Sequence, residues 1–101
     1  VRLIFAEPAE RDLGAIIEYI AEDDPLAAER VFRAIIAATG RLQDFPHIGH
    51  AGRVAGTREL SITGLPYIVV YLVNPDVVTV VAVFHAARDL ARIIRARRAE
   101  Q

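Results

Sequence analysis

Two apolar stretches, Tyr67–Val73 and Val77–Phe84, are separated only by Asn74-Pro75-Asp76, and they constrain the fold more than any other feature of the chain. They read Tyr-Ile-Val-Val-Tyr-Leu-Val and Val-Val-Thr-Val-Val-Ala-Val-Phe, rich in the β-branched and aromatic residues that suit strands. The Asn-Pro-Asp link has the chemistry of a turn. A hairpin with one wet face alternates apolar and polar residues, and neither stretch does. Both faces of this strand pair must therefore be covered. Neither run approaches the ~20 residues of a membrane span, so no membrane partner is expected.

The remaining chain supplies candidate covers. Arg2–Ala6 reads as a short strand, with Leu3 and Phe5 on one face and Ile4 on the other. Pro8 suits the first turn of a helix, and Leu13, Ile16, Ile17 and Ile20 follow at i, i+3, i+4 and i+7. Glu10, Asp12, Glu18 and Glu22 fall mostly on the wet side of that helix. Asp24 is placed to cap a second helix that starts at Pro25. Its buried face is expected to carry Ala28, Val31, Phe32, Ile35, Thr39 and Leu42, and Phe45-Pro46 stops it. So short a connection predicts an antiparallel helical hairpin. Residues 47–56, with three glycines and no periodicity, read as a loop, and Arg58–Ile62 as a third late strand. The helical hairpin covers one face of the sheet. The other is covered either by residues 86–98, where Leu90, Ile93 and Ile94 have helical spacing, or by a partner. This pattern describes one α+β domain over residues 1–101: a helical hairpin on a small, mainly antiparallel sheet, plus a C-terminal helix.

Composition removes whole classes of chemistry. With no cysteine there is no disulfide, thiolate nucleophile or thiolate metal site. His47 and His50 have only Asp44 nearby as a third ligand, so no metal site is expected, and no nucleotide fingerprint is present, so no cofactor is expected either. Acidic residues follow Arg2 closely, which does not match a signal peptide, and a cytoplasmic location is expected. Net charge is −1 but unevenly spread. Residues 1–44 hold nine acidic groups against five arginines, whereas residues 88–101 hold five arginines against two acids. On a helix, Arg88, Arg92 and Arg95 form one stripe, and Arg97 and Arg98 extend it, a candidate surface for engaging a target. Complementing a helix dipole is the simpler reading of the same arginines. All twelve basic side chains are arginine, which removes lysine as a catalytic cation. The set with possible acid–base chemistry is Arg58, His85 and Arg88, a histidine with phosphate-holding arginines. Its structural alternative is a strand-end cap and a surface pair.

Five segments in order carry a family resemblance: Ala9-Glu10-Arg11-Asp12-Leu13, Phe45-Pro46-His47-Ile48-Gly49, Gly56-Thr57-Arg58-Glu59-Leu60, Pro66-Tyr67-Ile68-Val69-Val70-Tyr71 and Val83-Phe84-His85-Ala86-Ala87-Arg88-Asp89. In these the chain resembles ParE toxins of the RelE/ParE superfamily, from type II toxin-antitoxin systems. The resemblance implies a β-α-α-β-β-β core. It implies a cognate ParD-like antitoxin in a hetero-oligomer, covering apolar surface of the hairpin and sheet, for which Leu13, Ile17, Ile20, Tyr67, Val69 and Tyr71 are the candidates. It implies inhibition of DNA gyrase by direct binding, without catalysis and without sequence-specific nucleic-acid binding by the toxin alone. The RelE branch implies instead ribosome-dependent mRNA cleavage, for which Arg58, His85 and Arg88 are the only counterparts here. An arginine-tailed nucleic-acid-binding module is a third class compatible with the charge pattern.

Overall fold

A computed structural model describes residues 1–87, 92 and 94–97. Strand β1 (Arg2–Phe5) leads into α1 (Glu7–Asp23) and α2 (Pro25–Gly40). A 3-10 turn (Arg41–Gln43) follows, then β2 (His50–Ala51), β3 (Arg58–Ser61), β4 (Tyr67–Val73) and β5 (Val77–His85). The five strands lie in the order β1-β5-β4-β3-β2, with β1 parallel to β5 and the other pairings antiparallel. The long connection that a parallel β1–β5 pair demands is made by the helical hairpin together with β2, β3 and β4.

Local chemistry sets the joints. Pro8 stands in the first turn of α1, and the Asp24 carboxylate accepts the Ala27 N–H at 3.0 Å, capping α2 where the sequence placed the cap. The second helix ends earlier than its pattern predicts. Leu42 is fully buried as expected, but from the 3-10 turn rather than from α2. Phe32, expected on the buried face, is 43% exposed on the flank of α2.

Both faces of β4 and β5 are covered. Toward the hairpin, Val69, Tyr71, Val78, Val80 and Val83 pack with Leu13 and Ile35. On the reverse face, Ile68, Val70, Val81, Ala82 and Phe84 pack with Val54 and Ile94, so the cover there includes the chain's own C-terminal residues. The missing alternation in β5 has a second cause. Val70 pairs with Ala82 and Tyr71 with Val80, leaving Val81 as an extra residue in a β-bulge. The bulge switches the hairpin-facing set from Val78 and Val80 to Val83 and His85.

Residues 47–56 are more ordered than a loop reading allows. His50 and Ala51 pair with Glu59 and Arg58 as β2. Gly49 donates its N–H to the Tyr71 hydroxyl at 3.0 Å, and Gly52 donates to the Thr57 carbonyl at 2.8 Å. The buried Glu59 carboxylate accepts the Arg53 N–H at 2.9 Å. At Gly49 a Cβ would stand 2.5 Å from the Glu59 carbonyl oxygen and 2.6 Å from the Tyr71 hydroxyl. Gly49→Ala must push β3 and Tyr71 apart. An expected loss of about 1–3 kcal/mol in urea unfolding checks this, set against Gly14→Ala, whose Cβ would meet nothing within 4 Å.

Candidate partner-binding site

Helix α1 presents three faces. Ala9 and Leu13 point into the core. Glu10, Leu13, Gly14, Ile17 and Glu18 form one wall of a groove closed by Phe5 of β1 and by Phe32 and Ile36 of α2, with a volume of about 600 Å³. On the opposite flank, Asp12, Ala15, Ile16 and Tyr19 repeat at helical spacing and border a smaller cleft against β4 and β5.

The groove is apolar at its floor and acidic at its lips. Phe32 and Ile36 keep 43% and 41% of their surface in water although both lie one helix turn apart on the same side. Gly14 leaves the α1 wall low, and no internal packing demands a glycine there. Glu10 and Glu18 flank the opening. Such a trough has the shape and charge to suit an amphipathic segment with apolar side chains on one face and basic residues beside them.

The residues expected to face a partner fall in different surroundings. Leu13 and Ile17 border the groove, and Ile20 is half-buried beyond it. Tyr67 lines the cleft on the other flank. Val69 and Tyr71 are 0% exposed, because the odd-numbered side of β4 lies beneath the hairpin. Sequence reasoning missed Phe5, Phe32 and Ile36. The available signal was a doubled apolar set on α2, Val31 with Ile35 and Phe32 with Ile36, one pair more than a single buried stripe needs.

The acid–base set is dispersed. Arg58 lies opposite Tyr71 and His85 opposite Tyr67, so four residues of β4, roughly 13 Å of strand, separate them. The Arg58 guanidinium donates to the carbonyl oxygens of His47 and Gly49, and its Nε is buried without a protein acceptor among the described residues. His85 is exposed, with its ring edge-on to Tyr67 at 5.8 Å and its Nδ1 accepting the Ala87 N–H at 3.2 Å. Arg88 lies outside the described residues. No three His, Asp or Glu side chains converge among the described residues.

The C-terminal arginines divide. Arg92 and Arg95 are exposed, whereas Arg88 and Arg98 lie outside the described residues. Arg97 turns inward and grips Asp12 with both nitrogens, Nη1 at 2.7 Å and Nη2 at 2.9 Å. Asp12 also accepts the Val83 N–H at 3.0 Å, and Arg97 donates to the Val81 carbonyl at 3.2 Å while lying over the Phe84 ring. This bidentate pair, about four-fifths buried, ties α1, β5 and the C-terminal residues together.

The arrangement as a whole is that of a small α+β protein with an apolar groove on one flank of α1 and a smaller cleft on the other. A family profile described as the ParE toxin of the type II toxin-antitoxin system parDE matches residues 3–90. The chain is 38% identical over 86 residues to the Y4kP protein of Sinorhizobium fredii, which carries a toxin name, covering 85% of this chain and 88% of that one. It is 34% identical over 87 residues to Toxin RelE2 of Caulobacter vibrioides, covering 86% and 97%. A structure from the chromosomal ParDE toxin-antitoxin system of P. aeruginosa shares the fold, with a TM-score of 0.77 at 20% identity over 84% of this chain and 95% of that one. The chain belongs to the ParE toxin family of type II toxin-antitoxin systems.

The Asp12–Arg97 pair and the exposed arginines separate in a stability measurement. Arg97→Ala strands a largely buried carboxylate and is expected to cost about 1–3 kcal/mol in thermal or urea unfolding. Arg95→Ala, at an exposed position, is expected to stay within about 0.5 kcal/mol.

Proposed function

We propose that this toxin acts by binding rather than by catalysis, that its target is DNA gyrase, and that a ParD-like antitoxin neutralises it by laying an amphipathic segment in the groove between α1, α2 and β1. The observation that carries the binding half is the groove itself: Phe5, Phe32 and Ile36 beside Ile17, rimmed by Glu10 and Glu18. Nothing in the core requires Phe32 or Ile36 to remain in water. Specific partners bury roughly 1,000 Å² or more in total, so the groove serves as the anchor of a longer contact. The dispersal of Arg58 and His85 supports action without catalysis, because a general acid or base must share hydrogen-bond reach of the reacting group with its phosphate-holding cations. The ParE family match supports gyrase as the target. The likeness to a protein named RelE2 keeps mRNA cleavage as the second reading, with His85 as the histidine of its candidate set.

Two measurements test this reading. On induction in bacteria, gyrase inhibition appears as altered plasmid supercoiling and broken DNA with mRNA intact, and a folded His85→Ala variant remains toxic. Ribosome-dependent mRNA cleavage that falls roughly 10²–10⁴-fold in His85→Ala would establish the nuclease instead. For the groove, Phe32→Glu and Ile36→Glu are expected to weaken antitoxin binding at least about tenfold each, with Tm little changed because both side chains are part-exposed. Gly14→Ala is expected to raise the stability of the free chain by about 0.5–1 kcal/mol and to weaken the complex, since its methyl group enters the groove.

A further inference from the structure

The cleft on the other flank of α1 differs from the groove in size and in chemistry. It holds about 320 Å³, room for one side chain rather than a segment. Tyr67 and His85 stand at 87° to each other and make an edge-to-face wall, with Phe84 behind. Tyr19 forms the lip, 75% exposed in the middle of a helix, with no internal packing that accounts for a tyrosine there. At one side lies Asp12, whose two oxygens accept three hydrogen bonds and so keep one of a carboxylate's four acceptor positions.

We propose that this cleft is a second docking site, separate from the groove, that takes a tryptophan or tyrosine side chain of a protein partner. Aromatic rings pack edge-to-face or offset against one another, and the orthogonal Tyr67–His85 pair offers an inserted ring both geometries. An indole N–H or phenol O–H has an acceptor waiting on Asp12. The charge of the cleft favours a protein over a nucleic acid. No arginine lines it among the described residues, and Arg97, which stands behind Asp12, is committed to that carboxylate and to the Phe84 ring. Among the described residues, the phosphate of a stacked nucleobase meets no lining counter-charge there. A neutral aromatic side chain brings no phosphate, and anchors of this kind dominate binding at protein interfaces.

The chain has no tryptophan, so the emission of N-acetyltryptophanamide reports the probe alone. Titrating the intact protein is expected to give a saturable blue shift. Ala15→Gln, at an exposed position bordering the cleft, is expected to abolish the shift. Tyr19→Ser is expected to weaken it roughly 2- to 10-fold, and Phe32→Glu, in the groove, to leave it unchanged. Equal Tm values establish that each variant is folded. N-acetyltyrosinamide is expected to displace the probe, and adenosine or uridine monophosphate not to. The absence of a saturable shift with the wild-type chain, or an undiminished shift in Ala15→Gln, overturns the proposal. Loss of the shift in Phe32→Glu overturns it in favour of the groove, and stronger displacement by the nucleotides overturns it in favour of nucleic acid.

Discussion

The central pair β4–β5 must be dry on both faces, and most of the molecule follows from that requirement. A strand pair with Val69 and Tyr71 on one side and Val70, Ala82 and Phe84 on the other cannot end in solvent. The hairpin of α1 and α2 covers the first face. A chain of this size has little left for the second, and the reverse face is closed by Val54 from the glycine-rich segment and Ile94 from the C-terminal residues. Each cover is a short piece, and each is also held by polar bonds. Glu59, Tyr71, Thr57 and Arg58 fasten the segment around Val54, and Asp12 with Arg97 fastens the residues around Ile94.

That division explains what could be read from the sequence. Asp24-Pro25, the apolar spacing of α1 and the Asn74-Pro75-Asp76 turn are local signals with local causes, and the structure carries each where the spacing put it. The requirement for a cover on both faces was also visible. The bulge at Val81 was not, because Val80-Val81-Ala82-Val83 is apolar throughout and offers no alternation for a one-residue slip to break. Strand β2 was hidden because it is two residues long and is held by pairing with β3 and by β3 side chains bonded to the residues on either side of it, Gly49 and Arg53. The Asp12–Arg97 pair joins residues 85 positions apart, and no period links them. Read locally, Asp12 looked like one more carboxylate on a wet helix face.

The same limit governed the candidate site. Apolar character in β4 was read as surface for a partner, whereas Val69 and Tyr71 serve the core. Most of the part-exposed apolar residues lie on the helices, where α2 carries a second i, i+4 pair beside its buried one, with Phe5 of β1 and Tyr67 of β4 next to them. Sequence pattern counts apolar residues well. It does not say which of two adjacent stripes the sheet consumes, because that depends on the rotation of the hairpin against β5.

Helix α1 therefore carries more than its length suggests. Over Glu7–Asp23 it supplies a core face, a groove wall with acidic lips, and a cleft wall that includes the carboxylate gripping Arg97. A segment in the groove and a side chain in the cleft would touch different residues of this helix, so they would not compete for the same atoms. They are linked all the same, because both lean on one rigid rod. The cleft reaches further, since Asp12 stands between it and the C-terminal residues. A group that hydrogen-bonds Asp12 acts on the pair that holds Arg97, and through it on the cover of the reverse sheet face. Arg92 and Arg95 are carried on that same cover and face outward. One carboxylate in α1 thus ties together the two ends of a chain whose charges are segregated along its length.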